Sequence, residues 1–256
     1  MHITETGLIL QERQARETGR FLDILTETHG VLEVFARGTK KAASKQLSAT
    51  QPFAYARLCL SEKNGRYYVE SAEPLHLFYA LRESLTKLSL AAYFFDLIRY
   101  AVPGGQPQPF ILRLTLNTLH YLATGKRSEA FLKSLFELRF LSELGMMPDV
   151  LTCPVCMAYL PQSLFYAART GHFYCKDCYQ PTPDDLAVEL SVGGLQAIRH
   201  IVLSDPERLF HFRLRTETQQ QVNRFAEQFV QCQLDYRPST LQFYQQIQSR
   251  TEKEIV

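Results

Sequence analysis

The 256-residue chain has little of what marks an exported or membrane protein. Met1 to Glu5 hold no basic segment followed by an apolar one, and no apolar run approaches the length needed to cross a bilayer. A cytoplasmic protein is expected. Six cysteines in a chain of this length are too sparse for a secreted disulfide framework, so reduced thiols and metal ligation are expected instead. Catalytic signatures are missing as well: there is no P-loop, no nucleophile elbow and no HExxH segment. The zinc deaminase pattern, an HxE segment ahead of PCxxC, is missing in both halves. No carboxylates or histidines cluster as they would around an open metal position. Nucleotide hydrolysis, serine hydrolysis and metal-dependent hydrolysis therefore have no motif, a protein that is not an enzyme is expected, and no residue is assigned a catalytic role. Internal repeats and low-complexity tracts are also missing.

What is present divides the chain by texture. From Ile3 to about Ala72, short alternating segments are separated by turn residues, which predicts five strands near 4–11, 19–26, 31–36, 53–60 and 66–72. The Thr28-His29-Gly30 and Asn64-Gly65 segments read as hairpin connections, because glycine accepts the positive φ of tight turns. Five short strands predict a small closed barrel. Past Pro74, apolar residues recur at three-to-four spacing, as in Leu81, Leu85, Leu88, Ala92 and Phe95. Helices are expected near 77–101, 109–123, 128–144, 191–203, 217–234 and 238–250, with Ser191 as an N-cap and Pro238 in a first turn. The fold class is thus α+β, with a barrel domain over 1–75 and a helical domain over 76–256 that carries an inserted metal module at about 148–181.

The module is marked by cysteine spacing. Cys153 and Cys156 form one CxxC pair, eighteen residues intervene, and Cys175 and Cys178 form a second. Two such pairs supply four thiolates from two short turns, the donor set of a closed tetrahedral zinc site. A closed site leaves no position for water, so one structural Zn2+ per chain is expected and not a catalytic one. Leu164–Ala167 and His172–Tyr174 read as a small hairpin between the pairs. His172 is left out of the ligand set. Cys59 and Cys232 stand alone and are expected to act as small core hydrophobes.

Charge is informative locally. The 28 Lys and Arg and 26 Asp and Glu nearly cancel to +2, but between Val34 and Ser61 there is no acidic residue. That interval carries Arg37, Lys40, Lys41, Lys45 and Arg57. Residues 38–48 have the small, polar and basic composition of a mobile loop that follows a phosphate backbone. Phe35, Phe53 and Tyr55 lie close by and include candidates for base stacking, although core packing explains aromatics on strands equally well. Arg13, Arg16 and Arg20 add charge that Glu12 and Glu17 largely offset.

Several segments resemble the RecO family of bacterial recombination mediators. They are Gly7-Leu-Ile-Leu10, Glu17-Thr18, Leu25 to Gly30, Ala36-Arg-Gly-Thr-Lys-Lys41 and Gln51-Pro52-Phe53 in the first part of the chain. In the helical part they are Ala92 to Leu97 and Phe136 to Leu141, which lead through Leu144-Gly145 and Pro148-Asp149 into the first cysteine pair. The resemblance implies an N-terminal OB-fold, a helical domain and, in many members, a zinc module. It implies DNA repair and recombination in the bacterial cytoplasm at the nucleoid. Binding of single- and double-stranded DNA, annealing of complementary strands, and action with RecR to help RecA onto DNA coated by single-stranded DNA-binding protein are implied, as is contact with that protein's acidic C-terminal tail. The family's basic DNA contacts map onto Arg37, Lys40, Lys41 and Lys45. For the tail, Lys126, Arg127, Lys133 and Arg139 stand beside the plainer reading of a charged helix face. Met157 departs from the family, which often has glycine after the first pair, and some relatives lack the cysteines. The competing reading is a zinc-stabilised interaction scaffold that does not bind DNA directly.

Overall fold

The computed structural model describes residues 2–15, 19–37, 44–181 and 187–254. Packing divides the chain into one unit of residues 1–126 with 238–256 and another of residues 127–237. The helices expected to form one domain over 76–256 are thus shared between the two units.

The first unit is built on five strands: β1 (His2–Gln14), β2 (Gly19–Thr26), β3 (Gly30–Arg37), β4 (Ala54–Lys63) and β5 (Arg66–Leu77). They close in the order β1-β2-β3-β5-β4, the arrangement of an OB-fold. Antiparallel ladders join β1 to β2 and β4, β2 to β3, and β4 to β5. The remaining seam, β3 against β5, is parallel and consists of only two residue pairs, Val34 with Tyr67 and Phe35 with Tyr68. Alternation explains the interior: Ile9, Leu22, Ile24, Leu32, Val34, Leu58, Leu60 and Val69 point inward and are buried. Closure leaves the sheet no free edge to manage.

Three details differ from the sequence expectation. Strand β5 runs through Pro74, which a register irregularity near Tyr55 and Ala56 accommodates. The expected helix over 77–101 begins as a 3-10 turn at Tyr79–Glu83, and α2 (Leu85–Ala101) starts only where the Ser84 side chain accepts from the Lys87 N–H. The segment expected as loop over 38–48 contains helix α1 (Ser44–Ala49), and Thr50 closes it by donating to the Gln46 carbonyl.

Helices α2, α3 (Pro109–Thr124) and α7 (Ser239–Glu254) complete the unit. Phe95 of α2 stacks on Phe53 at 4.9 Å between ring centres. The Asp23 carboxylate accepts from Arg13 at 2.8 Å and from Arg99 of α2 at 2.9 Å. Gly30 is required where it stands: its φ is 62°, and a Cβ there would lie 2.4 Å from the Pro103 carbonyl oxygen.

The second unit holds α4 (Glu129–Glu143), α5 (Val192–Leu203) and α6 (Thr216–Leu234) with a small sheet of β6 (Ser163–Ala167), β7 (His172–Cys175) and β8 (Val188–Ser191). The sheet order is β7-β6-β8, so the expected hairpin gains a third strand. Ser191 caps α5 as expected, accepting from the Gly194 N–H. Tyr166 of β6 is fully buried and packs against Phe173, Phe225 and Phe229, fastening the sheet to α6. No helix among the described residues is long and apolar enough to cross a membrane.

Candidate metal centre and nucleic-acid interface

The four paired cysteines come together. Their sulfur atoms all lie within 4.8 Å of one another, and Cys156 Sγ is 3.6 Å from Cys175 Sγ. A tetrahedral zinc with sulfurs at about 2.3 Å needs sulfur–sulfur separations of about 3.8 Å, so the donor set and its size fit that ion. Two backbone turns present the sulfurs. In the first, the Met157 N–H donates to the Cys153 carbonyl at 2.9 Å; in the second, the Cys178 and Tyr179 N–H groups donate to the Cys175 carbonyl at 3.1 and 2.9 Å. Met157 adopts a left-handed φ of 61°. The turn therefore keeps the backbone shape that glycine favours, with a methionine held at a conformational cost.

Local electrostatics prepare the sulfurs unequally. Burial works against ionisation of Cys153, yet the backbone N–H groups of Cys156, Cys175 and Val155 aim at its sulfur and bring its pKa down to about 6. Cys178 is pushed up to about 12, first by its hydrogen bond with Cys175 and then by burial. Burial raises Cys175 also. Four thiolates in contact repel one another unless a cation sits among them, so the group is chemically suited to a divalent soft-accepting ion. It can hold a metal and is consistent with zinc. His172 is exposed and stands outside the thiol group.

Arg199 of α5, which carried no motif, ties the module's entry in place. Its Nε donates to the Val150 carbonyl at 2.7 Å, and its Nη2 donates to the carbonyls of Leu151 and Tyr159 at 2.6 and 2.8 Å. The guanidinium lies 4.0 Å from the centre of the Tyr159 ring. A buried arginine on a helix has no sequence signal beyond an interruption of the apolar stripe.

Two expectations about cysteine are corrected. Cys59 and Cys232 are exposed and do not act as core residues. Leu58 and Leu60 occupy the inward positions of β4, which turns Cys59 outward. Cys232 lies off the buried stripe of α6 formed by Val222, Phe225, Ala226, Phe229 and Val230.

The basic candidates separate. Arg37 ends β3 and is exposed. Arg57 stands on β4, two strands away, 3.7 Å from Glu73, which partly offsets its charge. Lys40 and Lys41 lie outside the described residues, and Lys45 falls in α1 with its side chain outside them. Arg20 is paired with Glu12 at 3.0 Å, and Arg13 with Asp23 and Glu33. In the second unit the charged-face reading is corrected for Lys133, which is buried between Glu137 and Glu227 at 2.8 and 3.1 Å. Arg139 pairs with Glu143 and donates to the carbonyls of Ile201, Val202 and Ser204, while Arg127 donates to the Phe210 carbonyl. These three cations hold the unit together and are not a free surface.

The aromatics also separate. Phe53, with a φ of 72°, is committed to its stack on Phe95. Phe35 instead lines a cavity of about 340 Å3 with Phe21, Glu33, Arg66, Tyr67 and Tyr68. Sequence reading passed over Phe21, Tyr67 and Tyr68; the parity of each strand could have placed them, but not beside one another.

Comparison with known proteins places this geometry in context. A family model described as Recombination protein O N terminal matches residues 1–78, and one described as Recombination protein O C terminal matches residues 82–241. The chain is 26% identical to the DNA repair protein RecO of Acetivibrio thermocellus over 242 residues, 94% of this chain and 96% of that protein. It is 26% identical to the RecO of Alkaliphilus metalliredigens over 92% of this chain and 95% of that one. For the RecO of Bacillus subtilis the identity is 23% over 88% and 87%.

Proposed function

Because the chain belongs to the RecO family of DNA repair and recombination proteins, we propose that it is a recombination mediator that binds single- and double-stranded DNA and anneals complementary strands. With RecR it helps RecA onto DNA coated by single-stranded DNA-binding protein, whose acidic C-terminal tail it contacts. It works in the bacterial cytoplasm at the nucleoid. The observation that carries this reading is the closed five-stranded barrel whose third strand ends at the exposed Arg37 and runs on into Lys40, Lys41 and Lys45. In barrels of this arrangement the face of β2 and β3 and the β1–β2 and β4–β5 loops are the oligonucleotide surface.

Annealing asks for no acid, base or nucleophile. It asks that two polyanions be held close while their mutual repulsion is screened, which clustered cations on a rigid sheet provide. In this reading Arg37, Lys40, Lys41 and Lys45 neutralise phosphates without reading sequence, and Arg57, beside Glu73, contributes less. Cys153, Cys156, Cys175 and Cys178 hold one structural zinc ion, which cross-links two turns of the second unit and stands apart from the DNA chemistry. The test is strand annealing of complementary oligonucleotides, bare and coated with single-stranded DNA-binding protein. Acceleration in both cases supports the mediator. Failure in both, with the fold intact, would leave the scaffold reading in its place.

A further inference from the structure

The outer face of the barrel carries an aromatic row that barrel packing does not require. On β2, β3 and β5 the inward positions belong to Leu22, Val34 and Val69, so Phe21, Phe35 and Tyr68 face out. Outward positions of a solvated sheet are ordinarily polar. These three are in register: Phe21 is paired with Phe35 across β2–β3, and Phe35 with Tyr68 across β3–β5. Their rings meet edge to face, at 5.2 Å between Phe21 and Phe35 and 5.9 Å between Phe35 and Tyr68. All are only half-buried. Gly19 makes room for the row, since a Cβ there would lie 2.2 Å from Phe35 Cζ.

The surroundings define the ligand. The row opens into the 340 Å3 cavity at the β4–β5 turn, whose size is at the small end of small-molecule sites. Arg66, on its rim, is exposed and forms no ion pair among the described residues. Glu33, the acid on the rim, is held by Arg13 at 2.6 Å, which lessens its repulsion of an anion. Two residues beyond Phe35 stands Arg37, where the basic segment begins. Flat apolar faces flanked by cations suit a planar heterocycle on an anionic backbone.

We propose that the groove of Phe21, Phe35 and Tyr68 binds an unpaired nucleobase of single-stranded DNA, with Arg66 on a neighbouring phosphate. This rests on the reading of the barrel as a DNA-binding surface and deepens it. A paired base has its faces covered by its neighbours in the duplex and cannot enter, so the groove favours single over double strands and marks the strand as unpaired.

The full chain is titrated at fixed salt with two labelled oligonucleotides of equal length, one of thymidines and one of abasic residues, followed by anisotropy. The native chain is expected to prefer the thymidine strand on the order of tenfold, the scale of a base stacked on an aromatic ring. The double variant Phe35→Ala with Tyr68→Ala is expected to lose that preference while binding the abasic strand as the native chain does. A second variant guards against misfolding. The chain has no tryptophan, so Phe35→Trp places a single indole in the groove, and its emission should be quenched by the thymidine strand and not by the abasic one. A double variant that keeps the preference, or an indole indifferent to the base, overturns the proposal. Equal binding of both strands by the native chain overturns the base groove alone, whereas binding of neither overturns the DNA-binding barrel itself.

Discussion

The barrel and the small cysteine-bearing sheet are both built of β-strands, yet different forces close them. Barrel strands of 8 to 13 residues close on themselves around a core of a dozen buried side chains. The strands of the small sheet have four or five residues, too few to form an independent core. That sheet leans on α6 through Tyr166, and on the same face Cys175 of β7 joins it to the thiol group. The closure of the barrel thus rests on its own core.

The sharpest way to break this comparison is to remove the metal. Zinc in finger peptides contributes roughly 10–16 kcal/mol to folding. Cys175→Ser, or a strong chelator, should therefore cost several kcal/mol locally, and amide exchange should rise across residues 150–180 while the β1–β4 ladder stays protected. Metal analysis of chain purified without chelator should give close to one zinc. A metal-free chain with a fully protected module would remove the contrast. A smaller effect should follow from Arg199→Met, which strips three carbonyls, one of them in a buried bond, of a charged donor. We expect a loss of about 3 kcal/mol, read as a lower thermal midpoint and faster exchange over residues 150–160. Unchanged exchange there would show the module to be tied down elsewhere. The smallest change in energy, and the one that speaks for the barrel, is Lys40→Glu with Lys41→Glu. Single-strand affinity at low salt should fall on the order of tenfold, and the slope of log K against log salt should become shallower by about 1.4, from two lost phosphate contacts. An unaltered slope would remove the basic segment from the interface.

Much of this was legible beforehand because it is local. Alternation in β2, β3 and β4 and the glycines of the turns foretold the strands, and the two CxxC pairs foretold the thiol group, since a chelating turn is specified by neighbours in the chain. The break at Ser84 was missed because the apolar spacing continues across it, and only the cap hydrogen bond ends one helix and starts the next. Strand β5 was cut short at Pro74 for the opposite reason: a proline signals an end unless a bulge beside it, here at Leu75 of the same strand, absorbs it. Lys133 read as a surface charge because its partner Glu227 is far away in the chain.

The sequence by itself determined the composition of both regions: a barrel-forming run, a basic segment without acids, and four paired cysteines whose spacing suits a tetrahedral metal. These follow from steric preferences, periodicity and chelate geometry, each of which acts over a few residues. Only the tertiary structure decided which charges are available and which are already engaged. It engaged Arg13 in ion pairs at the surface, turned Arg127, Lys133, Arg139 and Arg199 into internal partners, and left Arg37 and Arg66 exposed. It also set Phe21, Phe35 and Tyr68 side by side on one outer face. Pairing between distant strands depends on the register of the closed barrel, and no short stretch of chain carries that register.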